Sequence, residues 1–234
     1  MEEAHPVEYF WSLLDHLEPH DYPDGVEPVP ERITGTAFFS AGAGLVRRRG
    51  EPLPPFPFDG LMLVGHNLDA VGPYLQRLAT GRDHGDPDRP SMPTWRRLYA
   101  LLDLAGIERE SIYCTNAYGG LKAGDDPTGK YAGSRDASFR SWCEAFLDEQ
   151  IRVMRPRLVV ALGALTQKEL GFGPGEYGVL ERGGVRFRAL GLVHPSHPGY
   201  YRRQGQGRVI EEQAALLSSA WSWRPSAPEA AVRS

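Results

Sequence analysis

LMLVGHNLD, running from Leu61 to Asp69, is the stretch that decides the fold of this chain. Four apolar residues lead into Gly65 and then into polar residues, the pattern of a buried strand that ends in a tight turn. In an open α/β sheet, binding sites form beyond the carboxyl ends of such strands. His66, Asn67 and Asp69 are therefore expected at the mouth of a site.

Two further stretches have the same form. SIYCTNAY (Ser111 to Tyr118) ends in Thr115-Asn116, and VRFRALGLVHPSH (Val185 to His197) ends in His194-Pro195-Ser196. Between them RLVVALG (Arg157 to Gly163) reads as a parallel strand covered on both faces, followed by a helical pattern from Ala164 to Leu170. Three strand ends thus deliver Asn67, Asn116 and His194, and one pocket is expected to hold all three.

The rest of the chain fills in around these strands. Helices are expected over Pro6 to Leu17, Val71 to Leu78, Thr94 to Ala105, Ser138 to Met154 and Ile210 to Trp221. Thr94 is the expected N-cap of its helix, Gly106 sits just past that helix, and Pro156 closes the next one. A short hairpin is expected over Ile33 to Arg49, ending in Arg47-Arg48-Arg49, and loops over Glu18 to Pro30, Glu51 to Gly60, Thr80 to Pro93, Gly119 to Asp136 and Gly171 to Gly178. The whole, residues 1–234, is expected to be one domain. Residues 1–58 form an N-terminal helix and proline-rich extension, 59–222 the core, and 223–234 a flexible tail. The expected architecture is a three-layer α/β/α sandwich around a mainly parallel sheet.

Composition sets limits on function. At 234 residues, 41% hydrophobic and 24% charged, the chain has the makings of an ordinary globular core. No apolar run reaches transmembrane length, and the opening MEEAHPVEYF is acidic and aromatic, unlike a signal peptide, so no membrane contact and a cytoplasmic location are expected. Cys114 and Cys143 are too few for a four-cysteine metal site and lie in apolar patterns, as buried thiols do. The net charge of −4 argues against a strongly cationic nucleic-acid coat. Of the 26 basic residues only Lys122, Lys130 and Lys168 are lysines. A preference for arginine suits phosphate and base contact, and a GC-rich genome produces the same bias.

Taken in order, these motifs resemble the uracil-DNA glycosylase superfamily over about Gly60 to Arg203. Gly65-His66-Asn67-Leu68-Asp69 stands where the family carries its first motif, commonly Gly-x-Asn-Pro-Gly, Gly-Gln-Asp-Pro-Tyr or Gly-Glu-Ala-Pro-Gly. Ala105 to Asn116 matches a family segment running from Ala-Gly-Ile through Tyr-x-Thr-Asn. Arg155 to Gly163 matches the Arg-Pro-x-Leu-Val-Val-Ala-Leu-Gly strand, and His194 to Ser196 the closing His-Pro-Ser. Each fragment alone is weak, and the ordered set is specific.

The resemblance implies hydrolysis of an N-glycosidic bond in DNA after the nucleotide is flipped into a pocket, with no metal or cofactor. By resemblance Asn67 orients water and His194 donates to the base O2, while Asn116 reads the base edge. His66 assists from beside the site, and Tyr74 and Tyr118 are candidates to stack on the base. Ser196, His197, Tyr200, Tyr201, Arg202 and Arg203 fall where the family wedges the duplex and holds phosphate. The departures from the motif are Leu68 for proline and Asp69 where uracil-specific members place a tyrosine against base C5. A carboxylate there suits a polar 5-substituted pyrimidine, in base-excision repair or in defence against phage DNA with hypermodified bases. Each residue also has a plainer reading: Asn67 as a turn former, His194 satisfied by its own turn, Asp69 as a helix-start carboxylate and the tyrosines as core. The expectation is a monofunctional DNA glycosylase acting as a monomer. The alternatives are a non-catalytic DNA-binding member of the fold and a hydrolase of free nucleosides or nucleotides.

Overall fold

The computed structural model describes residues 5–17, 21–29, 55–80, 93–127, 129–173 and 177–222. The expected hairpin over Ile33 to Arg49, most of the loop from Thr80 to Pro93 and the tail 223–234 lie outside the described residues. In chain order the elements are α1 (Pro6–Asp15), β1 (Val26–Glu27), β2 (Leu61–Asn67), α2 (Val71–Thr80), α3 (Pro93–Ala105), β3 (Ile112–Tyr118) and β4 (Leu121–Lys122). There follow α4 (Ala137–Met154), β5 (Leu158–Leu162), α5 (Ala164–Leu170), β6 (Tyr177–Arg182), β7 (Val185–Leu192), α6 (Pro198–Gln204) and α7 (Gln206–Ser222).

Five strands form one sheet in the order β3-β2-β5-β7-β6, in which only β6 runs antiparallel. Alternate side chains go to opposite faces. Met62, Val64, Tyr113, Val159 and Ala161 pack with α1 and α4, whose contributions include Phe10, Phe139, Phe146 and Ile151. Leu61, Leu63, Ile112, Cys114, Leu158 and Val160 pack with α3 and α7, through Trp95, Leu98, Leu102, Val209 and Leu217. Both faces are covered, which is the expected three-layer α/β/α sandwich. At about 1.5–3 kcal/mol for each fully buried aliphatic side chain, the two faces supply most of the drive to fold.

The strand order also predicts where a ligand sits. From β2 the chain crosses through α3 to β3 on one side, and from β5 it crosses through α5 to β7 on the other. The carboxyl ends of β2 and β5 therefore flank a topological switch point, the usual crevice of open α/β sheets.

Four details depart from expectation, the first being that the expected loops Glu18 to Pro30 and Gly119 to Asp136 hold β1 and β4, which pair antiparallel. α3 opens at Pro93, so Thr94 is its second residue and not its N-cap. Proline fits the first turn because its φ is preset and the N–H it lacks would be unpaired there anyway. β6 was not anticipated; it pairs with β7 across Gly183-Gly184, both at positive φ, as a two-residue hairpin requires. The stretch after His-Pro-Ser is helical, and His197 caps α6 by accepting from the Tyr200 N–H at 3.3 Å. Cys114 and Cys143 are buried free thiols, and burial pushes the Cys143 thiol up to about 12. Among the described residues no helix is long and apolar enough to cross a membrane.

Candidate active site at the carboxyl edge of the sheet

Gly65 is the last buried position of β2 and pairs with Asn116 of β3. A Cβ built on Gly65 would lie 2.4 Å from Asn116 Oδ1. The glycine of the first motif is thus the space that the Asn116 carboxamide fills. Asn116 itself is only 6% exposed, so its amide is held inside the edge and not on the surface.

One residue on, the His66 Nδ1 and Asn67 Oδ1 lie 3.1 Å apart. An amide oxygen can only accept, so Nδ1 carries the proton and the lone pair is on Nε2. The imidazole stands edge to face with Tyr118 at 5.1 Å and Tyr131 at 6.0 Å between ring centroids. Burial lowers the His66 pKa, while the bond to Asn67 and the Glu169 carboxylate draw it back up.

His194 follows the end of β7 and has the opposite tautomer. The Ser196 backbone N–H donates to His194 Nδ1 at 3.1 Å, and Ser196 Oγ lies 2.7 Å from the same atom. A backbone N–H can only donate, so Nδ1 is the acceptor and Nε2 carries the proton. Burial, reinforced by the nearby His66 and His197 rings, brings the His194 pKa down to about 4. At neutral pH the residue is an uncharged Nε2–H donor. Beneath it Gly163, at φ +88°, leaves so little room that a Cβ there would sit 3.0 Å from His194 Cβ.

The topology brings Asn67, Asn116 and His194 to one edge. Adjacent strands lie about 4.8 Å apart, so β2 and β7, with β5 between them, leave roughly 10 Å for a planar base. Asp69 is at the same edge, and its Oδ1 accepts from the Ala70 N–H at 2.8 Å just ahead of α2. Lys122 is drawn up to it through the backbone, donating its N–H to the Asp69 carbonyl at 2.8 Å, while its ammonium lies 4.0 Å from Asp126.

The tyrosines divide differently. Tyr74, Tyr118 and Tyr201 are each 1% exposed and sit in the interior, with the Tyr201 hydroxyl accepting from Gln213 Nε2 at 3.1 Å. Tyr201 is therefore an internal anchor and not the surface aromatic expected of it. Tyr200 is half-buried beside His197, and Ser196, His197, Arg202 and Arg203 are exposed.

Several residues of the edge were not anticipated. Glu169 of α5 faces His66 and the Tyr118 hydroxyl electrostatically. Arg97 of α3 donates to the Pro195 carbonyl at 2.7 Å, and Gln213 Oε1 accepts from the Val193 N–H at 2.8 Å. Gln213 did carry a signal, a polar residue in the apolar stripe of Ile210, Ala214 and Leu217. Arg97 and Glu169 carried none, because each meets the site across the fold.

A mainly parallel sheet, covered on both faces and with polar groups gathered at a switch point, defines an α/β protein with its candidate site at the carboxyl edge. The model of the uracil DNA glycosylase superfamily matches residues 59–223, well over half the chain. The chain belongs to that superfamily. Its membership suggests DNA glycosylase activity and DNA as the substrate. No curated protein matches the chain.

Proposed function

We propose that this chain is a monofunctional DNA glycosylase that hydrolyses the N-glycosidic bond of a modified pyrimidine, preferring a polar 5-substituted base to plain uracil. Breaking that bond places positive charge on the sugar and negative charge on the departing base. The nucleotide must first leave the stack, at a cost of a few kcal/mol. His194 donates its Nε2–H to the base O2 as negative charge develops there. Asn116 bonds the base edge through an amide that offers both donor and acceptor. Asn67 orients the attacking water, and His66 holds the Asn67 amide in the required sense.

The observation that carries this reading is the bond from the Ser196 backbone N–H to His194 Nδ1 at 3.1 Å, which leaves Nε2 as the donor. A histidine kept neutral, with its proton on Nε2, is a donor in place before reaction and needs no reorganisation when charge appears. The water side fits the same picture: an amide positions water without taking its proton, which suits a base that is already a good leaving group.

Asp69, in place of a bulky residue beside base C5, would accept from a hydroxyl on the substituent. Its carboxylate already serves the start of α2, and a hydroxyl donor adds to that arrangement without displacing it. Ser196, His197, Tyr200, Arg202 and Arg203 line the approach of the duplex, with arginine forks suited to phosphate. The reaction is monofunctional because no lysine is among the proposed site residues, and a Schiff-base lyase needs an amine. It calls for no metal or cofactor, and one chain supplies every proposed group, in keeping with action as a monomer. Repair of damaged bases and attack on hypermodified phage DNA are the two settings that such a specificity serves.

The test is base release from duplex and single-stranded DNA carrying uracil, 5-hydroxymethyluracil, 5-hydroxymethylcytosine or its glucosylated form. The expected product is an abasic site on a 5-substituted base, lost in Asn67→Ala and His194→Ala and not trapped by borohydride. DNA binding without base release would establish a non-catalytic member instead. Asp69→Tyr should shift preference towards uracil; unchanged preference would remove Asp69 from the specificity argument.

A further inference from the structure

We infer that Arg97, Tyr201 and Gln213 form a positioning network that fixes His194 by gripping the peptide on either side of it. This rests on the proposed role of His194. The β5–β7 ladder ends at the pair Leu162 and Leu192, and among the described residues no strand takes the N–H of Val193. Gln213 Oε1, arriving from α7, takes it at 2.8 Å. On the other side of His194 the carbonyl of Pro195 accepts from Arg97 Nη1 at 2.7 Å, an ionic donor and so a strong bond. The two grips meet on one ring. Gln213 Nε2 donates to the Tyr201 hydroxyl at 3.1 Å, and the Arg97 guanidinium carbon lies 4.5 Å from the Tyr201 ring centroid. Arg97 also donates from Nε to Gln206 Oε1 at 3.1 Å, which ties α3 to the start of α7.

None of these three side chains bonds the imidazole. They hold Val193 and Pro195, and His194 has only its own χ angles left to settle, which Ser196 does at Nδ1. Gln213 is 5% exposed and Tyr201 1%, so their mutual bond is shielded from water, while Arg97 reaches Pro195 from a part-buried position. Tyr201 is followed by the exposed Arg202 and Arg203 in α6, so the helix that faces the duplex carries the keystone of the network on its inner side. A merely structural role would join α3, α6 and α7 without regard to the imidazole. A positioning role makes the state of the imidazole depend on residues that never touch it.

Nitrogen-15 NMR of the histidine rings in the full chain tests this directly. Wild type should show His194 as a single tautomer at pH 7, protonated on Nε2. Arg97→Ala and Gln213→Leu should convert it to averaged tautomers while the amide spectrum stays folded, and Gln213→Glu, which keeps an acceptor for Val193, should restore the single form. Unchanged His194 signals in both variants would overturn the proposal.

Single-turnover base release at saturating DNA supplies the second arm. Each of the two variants should lose about 10- to 100-fold in rate, the usual cost of a misplaced catalytic group, with DNA affinity within about threefold of wild type. In a His194→Ala background the same changes should cost less than about threefold, because residues acting through one group are not additive. An equal loss in that background would also overturn it. If wild type released no base from any substrate, the glycosylase reading would fall, and the imidazole spectra would still decide whether the network sets His194.

Discussion

The two halves of the site are built by different means. On the β2 side, His66 bonds its neighbour Asn67 and Asp69 bonds its neighbour Ala70, each a contact between consecutive residues. On the β7 side, the flanks of His194 are held by Arg97 and Gln213, 98 and 20 residues away from their partners. The histidines carry opposite tautomers, with Nδ1 a donor in His66 and an acceptor in His194. The difference teaches where precision is placed. On the proposed roles, the water-orienting amide is braced locally, whereas the donor to developing charge is set by the fold.

The largest expected effect tests the stiff half. His194→Ala removes the proposed donor to the base and should cost about 10²- to 10³-fold in single-turnover base release, the range for one preorganised oxyanion donor. DNA affinity should change little, since the loss is felt in the transition state. A loss confined to affinity would demote His194 to a substrate contact.

Acid should separate the two histidines next. A histidine whose folded pKa is depressed stays neutral in the fold while the unfolded chain takes up a proton. Stability is then full above the unfolded value and falls with pH until the folded value is reached. For His194 that window runs from 6.5 down to about 4, worth up to about 3 kcal/mol. His66 adds to the same slope by a lesser amount, because Asn67 and Glu169 oppose its shift. Denaturant midpoints between pH 7 and pH 4 should decline in wild type, and His194→Gln should flatten most of that decline. A slope untouched by His194→Gln would mean that the ring is not desolvated in solution.

Gly65→Ala tests the floor shared by both halves. The new Cβ would stand 2.4 Å from Asn116 Oδ1, so the carboxamide must move. Overpacking of this kind costs about 1–3 kcal/mol in stability. A displaced reader of the base edge should also lower base release by about 10- to 100-fold. A folded, fully active Gly65→Ala variant would show that Asn116 does not touch the base.

How much of this was legible in the sequence follows from the same contrast. β2, β5 and β7 were readable because buried parallel strands are short apolar runs, and their polar ends mark the site. β6 was not read, since Tyr177, Gly178, Val179 and Glu181 are exposed and give no apolar pattern. Its real signal was the Gly183-Gly184 turn between two extended runs. On the β2 side the contacts run between sequence neighbours, and the sequence did offer Asp69 as a helix-start carboxylate, as its bond to the Ala70 N–H ahead of α2 has it. Ser196 beside His194 was readable for the same reason, and Arg97 was not, since nothing near Thr94 points to a loop 98 residues on. Tyr201 was misplaced because α6 turns it inward while its neighbours Tyr200 and Arg202 face outward or to the flank. A seven-residue helix capped by a histidine is not announced by the usual capping residues.

The smallest expected effect falls on His66, and it is the sharpest test of the looser half. His66→Leu keeps the bulk against Tyr118 and Tyr131 and removes the donor to Asn67 Oδ1. One hydrogen bond of this kind is worth about 1 kcal/mol, so base release should fall about fivefold. The pH profile then separates positioning from proton transfer. A ring that only braces the amide still donates from Nδ1 after it is protonated, so its contribution persists into acid. A ring that takes the water proton through Nε2 loses its contribution as pH falls through its own pKa, and the wild-type rate would then drop in acid while the His66→Leu rate stayed level. The braced-amide view requires the two profiles to run parallel.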